Sequence, residues 1–105
     1  MAKVIINAKI AEVANTVQFT STGDRTIIET FTVTNTGSDN ALISVYLLNP
    51  GDSPDSSNKI VNNDSFSPGD SRKLSVLSLH AIESGGSIAT EASLANTLTI
   101  RATGR

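Results

Sequence analysis

The chain has 105 residues and a formal net charge of −2, so it has room for one domain with one modest core. Ser, Thr and Asn make up a third of the residues, which favours strands and turns over long helices. A mean hydropathy near zero with so little charge excludes a disordered chain. The absence of Cys excludes disulfide scaffolds, thiolate zinc sites and Cys nucleophiles.

The first thirteen residues predict either an arm or a first strand. Val4, Ile5 and Ile6 form the longest run of β-branched aliphatic residues in the chain, but Asn7 and Lys9 interrupt the pattern after them. An exposed strand of this kind must be paired or covered. We therefore expect residues 1–13 to be either an arm that pairs with a neighbouring subunit or the first strand of a domain that continues over residues 14–105.

Alternating apolar and polar residues predict the next strands. A short strand around Val17 and Phe19 ends at a turn, and a longer strand covers residues 26–35, where Ile28 and Glu29 break the alternation. A strand over residues 41–48 follows a short polar turn, so these two strands predict an antiparallel hairpin.

Two Pro-Gly-Asp turns, which begin at Pro50 and at Pro68, separate predicted strands in the second half of the chain. Between and after them the sequence predicts a very short strand at residues 59–61 and strands over residues 71–76 and 88–92. Residues 77–82 fit either a bend or one helical turn. The last strand, residues 97–103, has the cleanest alternation.

Short strands at roughly ten-residue spacing predict an all-β, single-domain antiparallel β-sandwich, either Ig-like or a jelly-roll. The residues expected in its core are Ile27, Phe31, Val33, Ile43, Val45, Leu47, Leu98 and Ile100.

A second apolar stripe lies on the other face of the strand over residues 41–48. It consists of Leu42, Tyr46 and Leu48. Either a second sheet or another protein must cover it. The residues predicted to contact a partner protein are therefore Val4, Ile5, Ile6, Leu42, Tyr46 and Leu48.

Residues that support catalysis are scarce. His80 is the single histidine, and no Gly-x-Ser-x-Gly motif surrounds any serine. Asp52, Asp55, Asp64 and Asp70 are oxygen ligands of the kind that calcium prefers, but their spacing matches no EF-hand, and turns favour Asp in any case. We expect a protein that is not an enzyme and needs no cofactor or metal.

Charge and the length of the apolar runs argue against nucleic acids and membranes as partners. The basic residues are scattered and the isoelectric point is near 5.1, so no nucleic-acid footprint is present. No apolar run reaches the length of a membrane span, and the apolar stretch at the start is too short for a signal peptide.

Several segments resemble small β-domains of virion proteins from tailed bacteriophages. The segments are residues 25–37, ending Thr-Asn-Thr-Gly; residues 45–51, Val-Tyr-Leu-Leu-Asn-Pro-Gly; residues 67–71, Ser-Pro-Gly-Asp-Ser; and residues 86–104. The resemblance implies a structural protein, most simply a capsid decoration (cement) protein that stabilises the shell, with a head–tail connector or tail component as alternatives. It implies major capsid or other virion proteins as partners, homo-oligomers, and assembly into a virion in the host cytoplasm.

A secreted or cell-surface β-sandwich adhesion module is a further alternative, for which the Thr-Asn-Thr-Gly segment would be a generic sandwich turn. The lack of a signal peptide pattern and of Cys favours the virion hypothesis, as does a length that suits one complete domain beginning at Met1.

Overall fold

In a computed structural model, residues 2–105 are described and form nine β-strands and one 3₁₀ turn, at Ser75–Leu77. The strands are β1 Lys3–Ile10, β2 Thr16–Thr20, β3 Thr26–Asn35, β4 Ala41–Leu48, β5 Lys59–Phe66, β6 Ser71–Lys73, β7 Ala81–Ile82, β8 Ser87–Ala92 and β9 Leu98–Gly104. Pro-Gly and polar segments separate them, as expected for residues that favour turns.

The strands form two antiparallel sheets. The first sheet has the order β1-β9-β3-β6, with β7 also paired to β3, and the second has the order β2-β8-β4-β5. One buried apolar cluster draws on both sheets. The fold is therefore a β-sandwich in a single domain, and the predicted all-β antiparallel architecture is confirmed.

The core lies between the sheets and contains six of the eight residues predicted for it. Each of the six is at most 1% exposed, which leaves them no contact with water. They are Phe31, Val33, Ile43, Val45, Leu98 and Ile100. The alternation in β3, β4 and β9 thus identifies their buried faces correctly.

Ile27 is a correction to the predicted core. It is half-buried, whereas its neighbour Ile28 is completely buried. The pairing of β3 with β9 shifts between Ile28 and Thr30, so an irregularity interrupts the alternation there. Ile28 and Phe31 consequently both reach the core, and Ile27 does not.

Leu47 is a second correction, because it is half-buried and packs against the margin of the core. The pairing of β4 with β5 ends at Tyr46 and Lys59. Beyond that point the polar loop of residues 49–58 replaces the neighbouring strand. Leu47 therefore lacks cover on one side.

The predicted hairpin of β3 and β4 is wrong. β3 lies in the first sheet and β4 in the second, so the two strands face each other across the core instead of pairing. Each of the two strands buries an apolar face. That face is covered by residues of the opposite sheet. The polar segment 36–40 carries the chain across the edge of the sandwich.

Residues 3–10 are a strand of the chain's own sandwich. β1 pairs with β9 from Lys3 to Ile10, so the first-strand alternative describes the structure and the arm alternative does not; Met1 lies outside the described residues. The register shifts twice, between Val4 and Ile6 and between Ile6 and Lys9. These irregularities explain why the sequence shows no regular alternation here.

Candidate interaction surfaces

His80 and the acidic side chains are the groups that could react or bind a metal ion. The His80 side chain is exposed, and the main-chain carbonyl of His80 accepts a hydrogen bond from Ile28 N–H at 2.9 Å. Within residues 2–105, no three His, Asp or Glu side chains are grouped so that they could hold a metal ion. No helix in this part of the chain is long and apolar enough to cross a membrane.

Each of the four aspartates considered as calcium ligands forms a hydrogen bond or an ion pair with a residue near it in the chain. Asp52 Oδ2 accepts a hydrogen bond from Asn49 N–H at 3.1 Å, and Asp70 Oδ2 accepts one from Ser67 N–H at 2.8 Å, so each closes a Pro-Gly turn. Hydrogen bonds from the Ser57 side chain and main chain lower the pKa of Asp55. Asp64 pairs with Arg72 at 3.0 Å.

Tyr46 and Leu48 form a small cluster with Ala89, separate from the core. The cluster lies on the outer face of the second sheet, because Tyr46 alternates with the core residue Val45. Both side chains are nonetheless about 5% exposed. They are therefore not available as a contact surface in this structure.

Neighbours in the same sheet cover Tyr46. Its hydroxyl donates a hydrogen bond to Glu91 Oε1 at 3.0 Å, and Lys59 Nζ lies 5.4 Å from the ring centroid. Two charged side chains thus shield the ring from water, a favourable arrangement for an aromatic group with a polar end. The cover that this chain itself provides therefore comes from side chains of the same sheet and not from a second sheet.

The other predicted contact residues divide between core and surface. Ile6 is buried in the core, and Ile5 packs against the core from the side. Leu42 is half-buried where β4 begins. Val4, at 42% exposed, is the member of the predicted set that lies openly at the surface.

Exposed apolar residues concentrate at two places that the sequence did not predict. Of the eight large apolar residues exposed within residues 2–105, five lie there. Val76 and Leu79 form one group, on the segment after β6. Ile10, Val13 and Leu94 form the other, where β1 ends and β8 turns into β9. Such concentrations mark interaction surfaces more often than scattered residues do.

The second group borders an open pocket of about 370 Å³, which we call the end pocket. It is lined by Ile10, Ala11, Glu12, Val13, Ala95 and Asn96. Glu12 accepts hydrogen bonds from Lys9 Nζ at 3.1 Å and from Gln18 Nε2 at 2.9 Å. These bonds, the one from Gln18 foremost, hold the pKa of Glu12 below its ordinary value, so it is a carboxylate at neutral pH.

Comparison of the chain with protein-family models, with curated proteins and with solved structures found no match.

Proposed function

We propose that this chain is a non-enzymatic structural protein of a tailed-bacteriophage virion and binds the capsid shell as a decoration protein. The observation that supports the proposal best is the outer edge of β1. β1 pairs with β9 on one side only, and within residues 2–105 no strand pairs with its other side.

An unpaired strand edge presents main-chain donors and acceptors in a row. A strand or extended segment of a capsid protein would extend the first sheet there, with main-chain hydrogen bonds supplying affinity. Val4 is exposed on β1 and would add an apolar contact. The attachment needs no reactive group, in keeping with the isolated position of His80.

The resemblance of residues 25–37, 45–51, 67–71 and 86–104 to virion β-domains is the second support. Decoration of a shell is a task for a small, stably folded domain, and this sandwich buries a continuous core within about a hundred residues.

The assignment to a virion is tested by immunogold electron microscopy. Antibodies against the recombinant protein are applied to purified phage particles and to cells from the source culture. Gold on the heads supports the proposal. Gold on the neck or tail replaces it with the connector or tail alternative, and gold on cell surfaces replaces it with the adhesion module.

The role of the β1 edge is tested by co-sedimentation with capsid shells that lack the protein. A variant with Val4→Lys and Ala8→Lys places charge along the exposed side of β1, and we expect its binding to fall about tenfold or more. Ile60→Lys, at an exposed position on β5, is the matched control. Equal binding by both variants and the wild type would remove β1 from the interface.

A further inference from the structure

We propose that the outer face of the first sheet binds an anionic polysaccharide, with two cations contacting its negative groups and side-chain hydroxyls contacting its sugar hydroxyls. We call this surface the hydroxyl face. It consists of Thr30, Thr32 and Thr34 on β3, Ser71 and Lys73 on β6, and Arg101 and Thr103 on β9. The proposal does not rest on the virion assignment.

The register of the first sheet brings the two cations of the hydroxyl face into one row. Thr32 pairs with Lys73 on one side and with Arg101 on the other. Paired residues project from the same side of a sheet, and Thr32 alternates with the core residues Phe31 and Val33. The row therefore points away from the core. Lys73 and Arg101, both exposed, lie two strand spacings apart, about 10 Å between their main chains.

The first sheet is basic, although the whole chain has a net charge of −2. In the described part of the chain, the strands of this sheet contain five basic residues and one carboxylate, Glu29, which pairs with Arg105 at 3.6 Å. The five are Lys3, Lys9, Arg72, Lys73 and Arg101. The strands of the second sheet contain one basic residue and two carboxylates. A negatively charged ligand is therefore attracted to the first sheet rather than to the second.

The two cations of the hydroxyl face are not neutralised by carboxylates of the chain. Arg72, the neighbour of Lys73, pairs with Asp64 at 3.0 Å and with Asp70 at 3.8 Å. Lys73 and Arg101, in contrast, take part in none of the ion pairs found within residues 2–105. Each can therefore donate charge-assisted hydrogen bonds to an anionic group of a ligand.

Pairs of hydroxyl groups lie on both sides of the row that holds the cations. The hydroxyl oxygens of Thr30 and Thr103 are 2.7 Å apart, and those of Thr34 and Ser71 are 2.8 Å apart. One hydroxyl of each pair donates to the other, which leaves one O–H donor and several lone pairs for a ligand. The pairing also orders the side chains before binding, so less entropy is lost when a ligand arrives. These groups complement the hydroxyls of a sugar chain.

The composition of the hydroxyl face favours a polysaccharide over other anionic partners. A protein partner would need aromatic or large apolar anchors at the centre of the contact, where this face has Thr32 between Lys73 and Arg101. Single-stranded nucleic acid needs aromatic side chains for its bases, and a duplex needs many cations along its backbone. A polysaccharide with a negative group on every second sugar carries charges two sugar rings apart, a length comparable to the distance between the two cations. Its hydroxyls lie between those charges.

The test is an NMR titration of the isotope-labelled full chain, at low ionic strength, with hyaluronate oligosaccharides, which carry a carboxylate on every second sugar. We expect shifts in β3, β6 and β9. The double variant Arg101→Gln and Lys73→Gln should bind about tenfold more weakly or worse, because two charge-assisted contacts are lost. Lys59→Gln removes one positive charge from β5 in the second sheet and should bind like the wild type.

A second variant tests the hydroxyls separately. Thr30→Val and Thr34→Val together remove one hydroxyl from each pair but keep the β-branched shape, and we expect binding about threefold weaker or more. Circular dichroism and thermal melting check that every variant is folded.

Neutral dextran and an oligothymidylate are the comparison ligands. Dextran that binds as tightly as hyaluronate would contradict the role of charge, and tighter binding of the oligothymidylate would replace the polysaccharide with a nucleic acid. The proposal is overturned if hyaluronate fails to bind at millimolar concentration, or if its shifts are confined to the second sheet. Unchanged affinity in the folded Arg101→Gln and Lys73→Gln variant overturns it as well.

Discussion

Residues 11–15 and residues 36–40 each carry the chain from the first sheet to the second, and the two segments are secured in different ways. At the second, Asn35 is 2% exposed, and its Nδ2 donates to Asp39 O and to Phe66 O, each at 2.9 Å. Its Oδ1 accepts from Gly37 N–H, also at 2.9 Å. At the first, Glu12 joins Lys9 on β1 to Gln18 on β2 with a side chain that is 43% exposed.

The two segments make the same kind of crossing between the sheets, but the hydrogen bonds that secure them differ in strength. Buried hydrogen bonds at Asn35 cannot be replaced by water, so losing them leaves main-chain groups unsatisfied. The bonds at Glu12 compete with water and salt, and exposed ion pairs of this kind contribute little. We therefore expect the stability of the sandwich to depend on the segment after β3 far more than on the segment after β1.

Truncation of a core side chain on β3 should have the largest effect on stability, with which the effects at the two crossings can be compared. Phe31→Ala removes a ring that is 1% exposed between the sheets, and we expect it to lower the free energy of unfolding by about 3–5 kcal/mol. Urea denaturation followed by circular dichroism measures the change. Thr32→Ala, on the opposite face of the same strand, is the control and should cost much less; similar losses would mean that the assigned inner face is wrong.

Asn35→Ala should come next in size, at about 2–3 kcal/mol. The substitution leaves the Phe66 carbonyl without its donor in a buried position. The same denaturation experiment applies, with Thr36→Ala at the adjacent exposed position as the control. If Asn35→Ala costs no more than Thr36→Ala, the buried hydrogen bonds do not secure this crossing.

Gly37→Ala should cost about 1 kcal/mol. An added Cβ would lie 3.1 Å from Thr97 Cγ2, and Thr97 is itself buried, so one of the two segments must shift. Thermal melting measures the loss. Ser38→Ala, one residue further along the crossing, serves as the comparison, and an unchanged melting temperature for Gly37→Ala would show that the turn relaxes without strain.

Glu12→Gln should have the smallest effect, about 0.5 kcal/mol or less at neutral pH. Because the pKa of Glu12 is lowered in the folded state, its stabilisation is present above the ordinary value of 4.5 and is lost as the pH falls through the lowered pKa. The wild type should thus lose its small advantage over the variant in acid. Melting curves at neutral pH and well below pH 4.5 measure this, and an advantage that persists in acid would contradict the assignment.

Two of the residues predicted to contact a partner, Tyr46 and Leu48, are buried within the chain. The sequence selected Tyr46 and Leu48 because they alternate with core residues, but Lys59, Glu91 and Ala89 cover them from neighbouring strands that are distant in sequence. The predicted strand over residues 71–76 would place Val76 on the same face as Leu74. The 3₁₀ turn at Ser75–Leu77 breaks that alternation and turns Val76 outward.

By itself the sequence determined the all-β class, the turn positions and the buried faces of β3, β4 and β9, because alternation and turn residues act over a few neighbouring positions. Tertiary structure alone decided which strands pair. The sequence predicts a hairpin of β3 and β4, yet the two strands lie in opposite sheets, and their buried apolar residues belong to one cluster between those sheets. Tertiary structure also decided that β1 belongs to the sandwich, since the main-chain hydrogen bonds to β9 tolerate two irregularities that no local pattern reveals.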